Sequence, residues 1–447
     1  MVSPKKQHRY LWLASGTLAG LGIWRGWQFL QRVLAQPKYL YQPPALLVEA
    51  DTETHAQALA IATQNVRQAI EKRPLLNGQV KTVLCAGIRN FREPWARDFG
   101  FASFGLLEMG EETAVRECLE VFLTYQKSDG QFPVKVHSTN VLERYFHSFF
   151  NRHQPTHSPI RPKYITAHNT ISLDGNSLLI IAACHYAQRT GNDHFLHTHW
   201  HAFLRALTWL ETHARPDDGL LRQGPYADWA DSVARAGRVL YTNVLYWKAL
   251  QDMAQAATRL GLVSDAERLA DEAKWIEEAI QNYFWRDDLG YFITSRRFQF
   301  LSSSGNLLAV AWGLATPEQA HRILDNMSRF GMADPVPTKV THQPYPDRYI
   351  AIENRFAGIG HYHTEAAWLW LGAWHVIALA RMGRQAEAET LFDRICRTIA
   401  ADGVVHEVYG TDGRFLSTRW YTSEAPLTWN ASMVIYAWHV LQRHRPK

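Results

Sequence analysis

Asn306-Leu307-Leu308-Ala309-Val310-Ala311-Trp312-Gly313-Leu314-Ala315-Thr316-Pro317-Glu318-Gln319 is the stretch that decides the fold. Up to Trp312 it is apolar nearly all round, as in a helix buried on more than one side. Gly313 stands where a helix C-terminus takes a residue able to adopt positive φ. Thr316 with Gln319 reads as a capping box and Pro317 suits the first helical position, so a second helix restarts at once and runs to Arg329 with one polar face. Apolar helix, glycine turn and amphipathic helix form one unit.

The unit recurs along the chain. Apolar helices are expected at Phe99–Met109, Asn176–Gln188, Val239–Leu260, Asn306–Trp312, Ala366–Arg381 and Leu427–Arg443. Amphipathic ones are expected at Thr54–Lys72, Glu111–Gln126, His194–His213, Asp265–Tyr283, Pro317–Arg329 and Gln385–Ala400. Joints from apolar to amphipathic helix are short and carry Gly110, Gly191, Gly261, Gly313 or Gly383, and a second capping box is expected at Ser264 with Glu267. Joints the other way are long, near 73–94, 128–170, 214–237, 284–303, 330–362 and 401–423. Loops of that length in a compact domain are usually functional. In an up-and-down ring they all fall on one rim, at the N-termini of the inner helices. The expected fold is therefore all-α, an (α/α)6 barrel with long loops on one rim. A solenoid of stacked hairpins would not need long loops on one side only.

Composition narrows the function. With 47 basic against 42 acidic residues the net charge is only +5, and the basic residues are dispersed, which argues against a nucleic-acid partner. The 17 Trp, 18 Tyr and 20 Phe exceed what a core needs and suit a protein that stacks aromatic faces on sugar rings. Cys85, Cys118, Cys184 and Cys396 are scattered in apolar contexts and read as reduced core residues. His194, His197, His199 and His201 tempt a metal reading, but they lie on an outer helix with no acid to complete a site, so no metal or cofactor is expected. Residues 1–46 read as an N-terminal extension and 47–447 as a single catalytic domain. Lys5, Lys6, His8 and Arg9 precede an apolar run at 10–24, the only segment through which membrane contact is expected, and a Pro-rich linker follows at 36–44. Whether that run is a signal, an anchor or neither is open, and localisation and oligomeric state with it.

The long loops carry the chemistry. Gln223-Gly224-Pro225-Tyr226-Ala227-Asp228-Trp229-Ala230-Asp231-Ser232 precedes the third inner helix, and Asp231 or Asp228 is a candidate acid. Glu407 lies in the last long loop, on the same rim. Cleavage of a glycosidic bond takes one carboxylic acid to protonate the leaving oxygen and one carboxylate to activate water. Trp95, Arg97 and Asp98 open the first inner helix, where Asp98 could also be an N-cap. His168, Asp174, Trp229, Asn243, Tyr362, His363, Glu365, Trp368, Glu424 and Trp429 are further polar or aromatic candidates for sugar binding at the same rim. The segment 144–161 has no periodicity and reads as a cover over the site.

These residues resemble known glycosidases. Trp95-Ala96-Arg97-Asp98 resembles the Trp-x-Arg-Asp motif of the amylo-alpha-1,6-glucosidase part of glycogen debranching enzymes, and Asp228-Trp229-Ala230-Asp231 resembles their Trp-Met-Asp general-acid motif. His406-Glu407-Val408-Tyr409, Gly413-Arg414-Phe415 and Thr428-Trp429 are similar to the Pro-Glu-Tyr-Tyr, Gly-Arg-Phe-Ile and Thr-Trp pattern of alkaline/neutral invertases. The resemblance runs from about residue 90 to 440. It implies Asp231 as general acid, Glu407 as general base, inversion at the anomeric carbon, and Arg97 and Asp98 in the sugar subsite. The chain departs from both families at Tyr241-Thr242-Asn243, and from the invertases at His406. A sugar epimerase using His168 and His363, and a noncatalytic sugar-binding protein, are the competing readings.

Overall fold

Residues 22–35 and 53–445 are described by the computed structural model. Most of the apolar run at 10–24, the linker at 36–44 and the boundary between 46 and 47 lie outside them. Helix α1 covers 22–35. It is followed by α2 (Glu53–Arg67), α3 (Ala96–Glu108), α4 (Glu112–Thr124), α5 (Val141–Phe149), α6 (Asp174–Thr190), α7 (Asp193–Glu211) and α8 (Leu240–Arg259). The second half holds α9 (Val263–Phe284), α10 (Ser303–Ala311), α11 (Pro317–Arg329), α12 (Ile352–Phe356), α13 (Leu369–Arg381), α14 (Gln385–Asp402) and α15 (Thr428–Arg443). Three small antiparallel ribbons decorate the long joints: β1 (Ile70–Pro74) with β2 (Val80–Leu84), β3 (Lys135–His137) with β4 (Arg161–Lys163), and β5 (Trp285–Arg286) with β6 (Tyr291–Phe292).

The apolar helices close a ring. α3 packs on α6, α6 on α8, α8 on α10, α10 on α13, α13 on α15, and α15 returns to α3. A solenoid would leave its first and last hairpins apart, so this last contact establishes the (α/α)6 barrel. Outside the ring α4 leans on α3 and α6, α7 on α6 and α8, α9 on α8, and α14 on α13 and α15, while α2 covers α14 and α15. Helices touched on every side must be apolar on every side: in α13, Leu369 to Ala380 are buried without a break. The five joint glycines adopt φ between +69° and +78°. The box at Thr316 forms, its hydroxyl accepting from the Gln319 amide while the Gln319 side chain accepts from the Thr316 amide.

The structure differs from the sequence reading in several places. The box at Ser264 does not form, because α9 already begins at Val263 and Leu262 caps it without a side-chain bond. α2 stops at Arg67, and Ile70 to Pro74 leave the helix to pair with β2. α13 starts at Leu369, since Ala367 is held extended between Lys339 and Tyr409. Trp95, not Asp98, is the N-cap of α3. Within 144–161 the residues up to Phe149 complete α5, and the rest runs without helix to β4 at Arg161.

Buried asparagines tie the long loops to the ring. The Asn243 side chain accepts from the Leu221 amide and donates to the Leu221 and Val239 carbonyls. Asn306 does the same to Phe292 N–H and C=O, and Asn176 takes the Phe132 amide while donating to Gly130 and Ala206. Asn430 accepts from Trp370 and donates to the carbonyls of His406 and Glu407, both at 2.8 Å. Each sits in the first turn of an inner helix.

The ring closes most tightly at Gly105, where an added Cβ would lie 2.0 Å from the Ser432 carbonyl oxygen of α15. Backbone cannot yield as a side chain can. Gly105→Ala is therefore expected to cost about 3 kcal/mol or more, read as a lowered urea midpoint; an unchanged midpoint would show that the seam is loosely packed.

Candidate active site

Four of the long loops converge on a cavity of about 100 Å³ in the mouth of the ring. Phe91, Trp95, Arg97 and Asp98 come from the entry to α3, and Trp229 and Asp231 from the loop before α8. Tyr362, His363 and Trp368 come from the loop before α13, and Glu407, Leu427 and Trp429 from the approach to α15. Below the cavity lies an aromatic plug: Trp429 stacks on Phe101 at 5.3 Å and lies 4.5 Å from Trp370, whose ring meets Trp229 edge-on at 4.9 Å. Trp368 is at once core and cavity wall, whereas Trp370 is core alone. The buried indole N–H groups of Trp95 and Trp429 find no acceptor among the described residues.

Asp231 and Glu407 face this cavity in contrasting surroundings. Burial raises the Asp231 carboxyl to about 6, against the pull of Arg97 and His168. No protein donor among the described residues bonds it directly, and the His363 ring nitrogen stands 3.9 Å away. Burial raises Glu407 too, but three donors oppose it: the Tyr362 hydroxyl, the Tyr421 hydroxyl at 2.5 Å and the Glu424 amide at 3.1 Å. Donors of that number favour the carboxylate. Asp98 is raised to about 7, first by burial and then by Glu407 and Asp231, with Arg97 opposing.

His363 is neutral. Burial, with Arg235 and Arg97, holds it well below the usual imidazole range. The Ser232 amide donates to its Nδ1, so its proton is on Nε2. The ring stacks flat on Trp368 at 5.2 Å, which fixes that N–H as a donor.

Residues 92–330, 239 of the 447, match the model of the bacterial alpha-L-rhamnosidase six-hairpin glycosidase domain. The chain belongs to that family. It is thus a glycoside hydrolase by membership, and its substrate is a carbohydrate. No curated protein sequence matches it. Among solved structures it is similar to a rhamnosidase from Klebsiella oxytoca with rhamnose bound (TM-score 0.64, 14% identity, 90% of this chain and 65% of that one). It is also similar to a GH63 mannosylglycerate hydrolase from Thermus thermophilus (TM-score 0.61, 14%, 86% and 99%) and to a GH78 rhamnosidase from Bacillus sp. GL1 (TM-score 0.62, 16%, 89% and 36%). The chain thus spans 65% of the Klebsiella enzyme and about a third of the Bacillus one, and at these identities the likeness is one of fold.

Several residues expected at the sugar site do other work in this glycosidase. Asp228 is buried under Arg235, which clamps it through Nε at 2.9 Å and Nη2 at 2.9 Å, while Gln223 and the Ala230 amide also donate to it. It shapes the loop that presents Asp231. Asp174 lies behind Arg97, 2.6 Å from its Nε, and orients it. Glu424 accepts from the amides of Ile88, Arg89 and Asn90, and a Cβ on Gly87 would come within 2.5 Å of it. Asn243 is the loop clamp described above, and half-buried Glu365 lies outside the lining. His168 stacks on Tyr226 at 4.3 Å and pairs with Glu353 at 3.3 Å, also outside the lining. The structure therefore does not join His168 and His363 into the pair an epimerase would use. His406 stacks on Phe415 at 4.0 Å and steadies the loop of Glu407. Tyr421 was missed from sequence; it lies in an unpatterned turn, and only its nearness to Glu407 reveals it.

Removing Asp228 leaves the Arg235 guanidinium buried and unpaired. Asp228→Ala is expected to lose about 3–5 kcal/mol of stability in denaturant titration; a loss below about 1 kcal/mol would mean that water readily enters to solvate Arg235.

Proposed function

We propose that this glycosidase hydrolyses an O-glycosidic bond by one displacement with inversion, Asp231 acting as general acid and Glu407 as general base. The observation that carries the reading is the contrast between the two carboxyl groups. One is undonated and raised to about 6, while the other holds three donors, across one cavity. An acid must keep its proton until the leaving oxygen takes it, and a base must be ionised. In the proposed step Asp231 gives its proton to the glycosidic oxygen as the bond to the anomeric carbon breaks. Water attacks that carbon from the opposite face, and Glu407 takes its proton. Solvent then restores both groups. Asp98 lines the same cavity and serves the sugar hydroxyls together with Arg97 and the His363 Nε2–H. Trp95, Trp229, Trp368 and Trp429 supply apolar walls for the ring. The division into residues 1–46 and one catalytic domain at 47–447 belongs to the same proposal.

Asp231→Asn and Glu407→Gln are each expected to lower kcat at least about a hundredfold. The Asp231 variant should lose least on aryl glycosides with good leaving groups, which need no proton. A uniform loss over leaving groups would sink Asp231 as the acid. For the wild type, kcat/KM should rise with pH as Glu407 loses its proton and fall again as Asp231 ionises near pH 6; Asp231→Asn should erase the alkaline limb. Aryl α-L-rhamnosides, α-D-glucosides and α-D-mannosides test the sugar, the first prompted by the family and the second by the sequence motifs. The first-formed anomer, read by NMR, should be inverted, and a retained anomer would refute the single displacement.

A further inference from the structure

We propose that a face built by α1, α5 and the turn at Trp420 docks on an anionic lipid surface. This face borders the catalytic cavity without lining it, and the inference is independent of which bond is cleaved. Among described residues it exposes Trp24 and Trp27 of α1, Leu142 and Phe149 of α5, and Trp420, each 55% or more accessible. Phe29 of α1 meets Phe146 of α5 edge-on at 5.4 Å, which makes the two helices one continuous surface. Between α5 and the turn opens a second cavity of about 450 Å³, floored by Tyr145, Phe149 and Trp420 beside Arg89 and Arg419. So much clustered aromatic surface is unusual on a protein that meets only water.

Charge selects the occupant. Residues 1–35 hold five Lys or Arg and no Asp or Glu, and the rest of the chain holds 42 of each sign, so the entire net charge of +5 belongs to this segment. Guanidinium groups accompany the exposed rings: Arg419 lies 4.9 Å over Trp420 and Arg144 5.1 Å over Tyr145, while Glu143, the acid on α5, is engaged by His157 at 3.0 Å. Tryptophan interleaved with arginine is the chemistry of the boundary between headgroups and acyl chains. Docking two copies face to face would instead bring the α1 arginines of both copies, Arg25 and Arg32, towards one another. No helix among the described residues is long and apolar enough to cross a membrane. Trp420 adjoins Tyr421, the donor to Glu407, so a docked face would bring the cavity mouth close to the headgroups.

All four native cysteines are buried, so Leu142→Cys in the full chain can be labelled singly with an environment-sensitive fluorophore. Vesicles of phosphatidylcholine with about a quarter phosphatidylglycerol should shift its emission to the blue, an effect weakened by salt near 0.5 M and small with phosphatidylcholine alone. The same label at Glu278→Cys on α9 should stay silent. The double variant Leu142→Glu, Phe149→Glu should lose at least about tenfold in vesicle affinity while hydrolysing a soluble glycoside at the wild-type rate. An unresponsive label, a label already blue-shifted in buffer, or a double variant that binds as the wild type overturns the proposal. So does a wild-type dimer in light scattering that the double variant abolishes, because the face would then belong to a second copy.

Discussion

A buried amide at the head of an inner helix is the interaction on which the site depends. The long loops enter a low-dielectric mouth, where every unpaired N–H or C=O carries a desolvation cost. A carboxamide offers one donor group and one acceptor, so it can satisfy both backbone groups of an incoming residue at once. Asn243 does this for Leu221 and Asn306 for Phe292, and Asn430 holds the carbonyl of Glu407 itself. Precision at the rim thus originates in the rigid ring below it, and the loops are free to vary between these fixed points.

Charge is distributed on the same principle. Arg97 and Arg235 are each held by a carboxylate outside the cavity lining, Asp174 and Asp228. Neither is free to ion-pair with Asp231. Had either done so at close range, the proposed acid would lose its proton well below pH 6. Three donors are gathered on Glu407 instead, the proposed base.

The ring was legible in the sequence because its helices are apolar on all sides and its short turns need glycine, two signals that do not depend on distant partners. Asp231 and Glu407 were legible as carboxylates on one rim. Asn243, Glu424 and Asp174 misled because a polar residue that satisfies backbone and one that binds ligand look alike in a rim loop; the recurrence of Asn in the first turn of four inner helices was the available signal. α5 carries Val141, Leu142, Tyr145, Phe146 and Phe149 at helical spacing, but this one short helix is set inside a long loop and its apolar face is exposed, so it escaped a search for core-directed helices. Tyr421 owes its importance to a neighbour 14 residues away, which no local pattern encodes.

The seam between α3 and α15 sets an order in time. Gly105 against Ser432, Glu424 on the amides of residues 88–90, Thr428 on the carbonyl of Cys85 and Asn65 on Val405 all join chain segments more than 300 residues apart. Such contacts form late and slowly. They are also the ones that immobilise the loop of Glu407. During synthesis, then, an emerging chain carries Asp231, the proposed acid, long before the loop of Glu407, the proposed base, meets the partners that hold it.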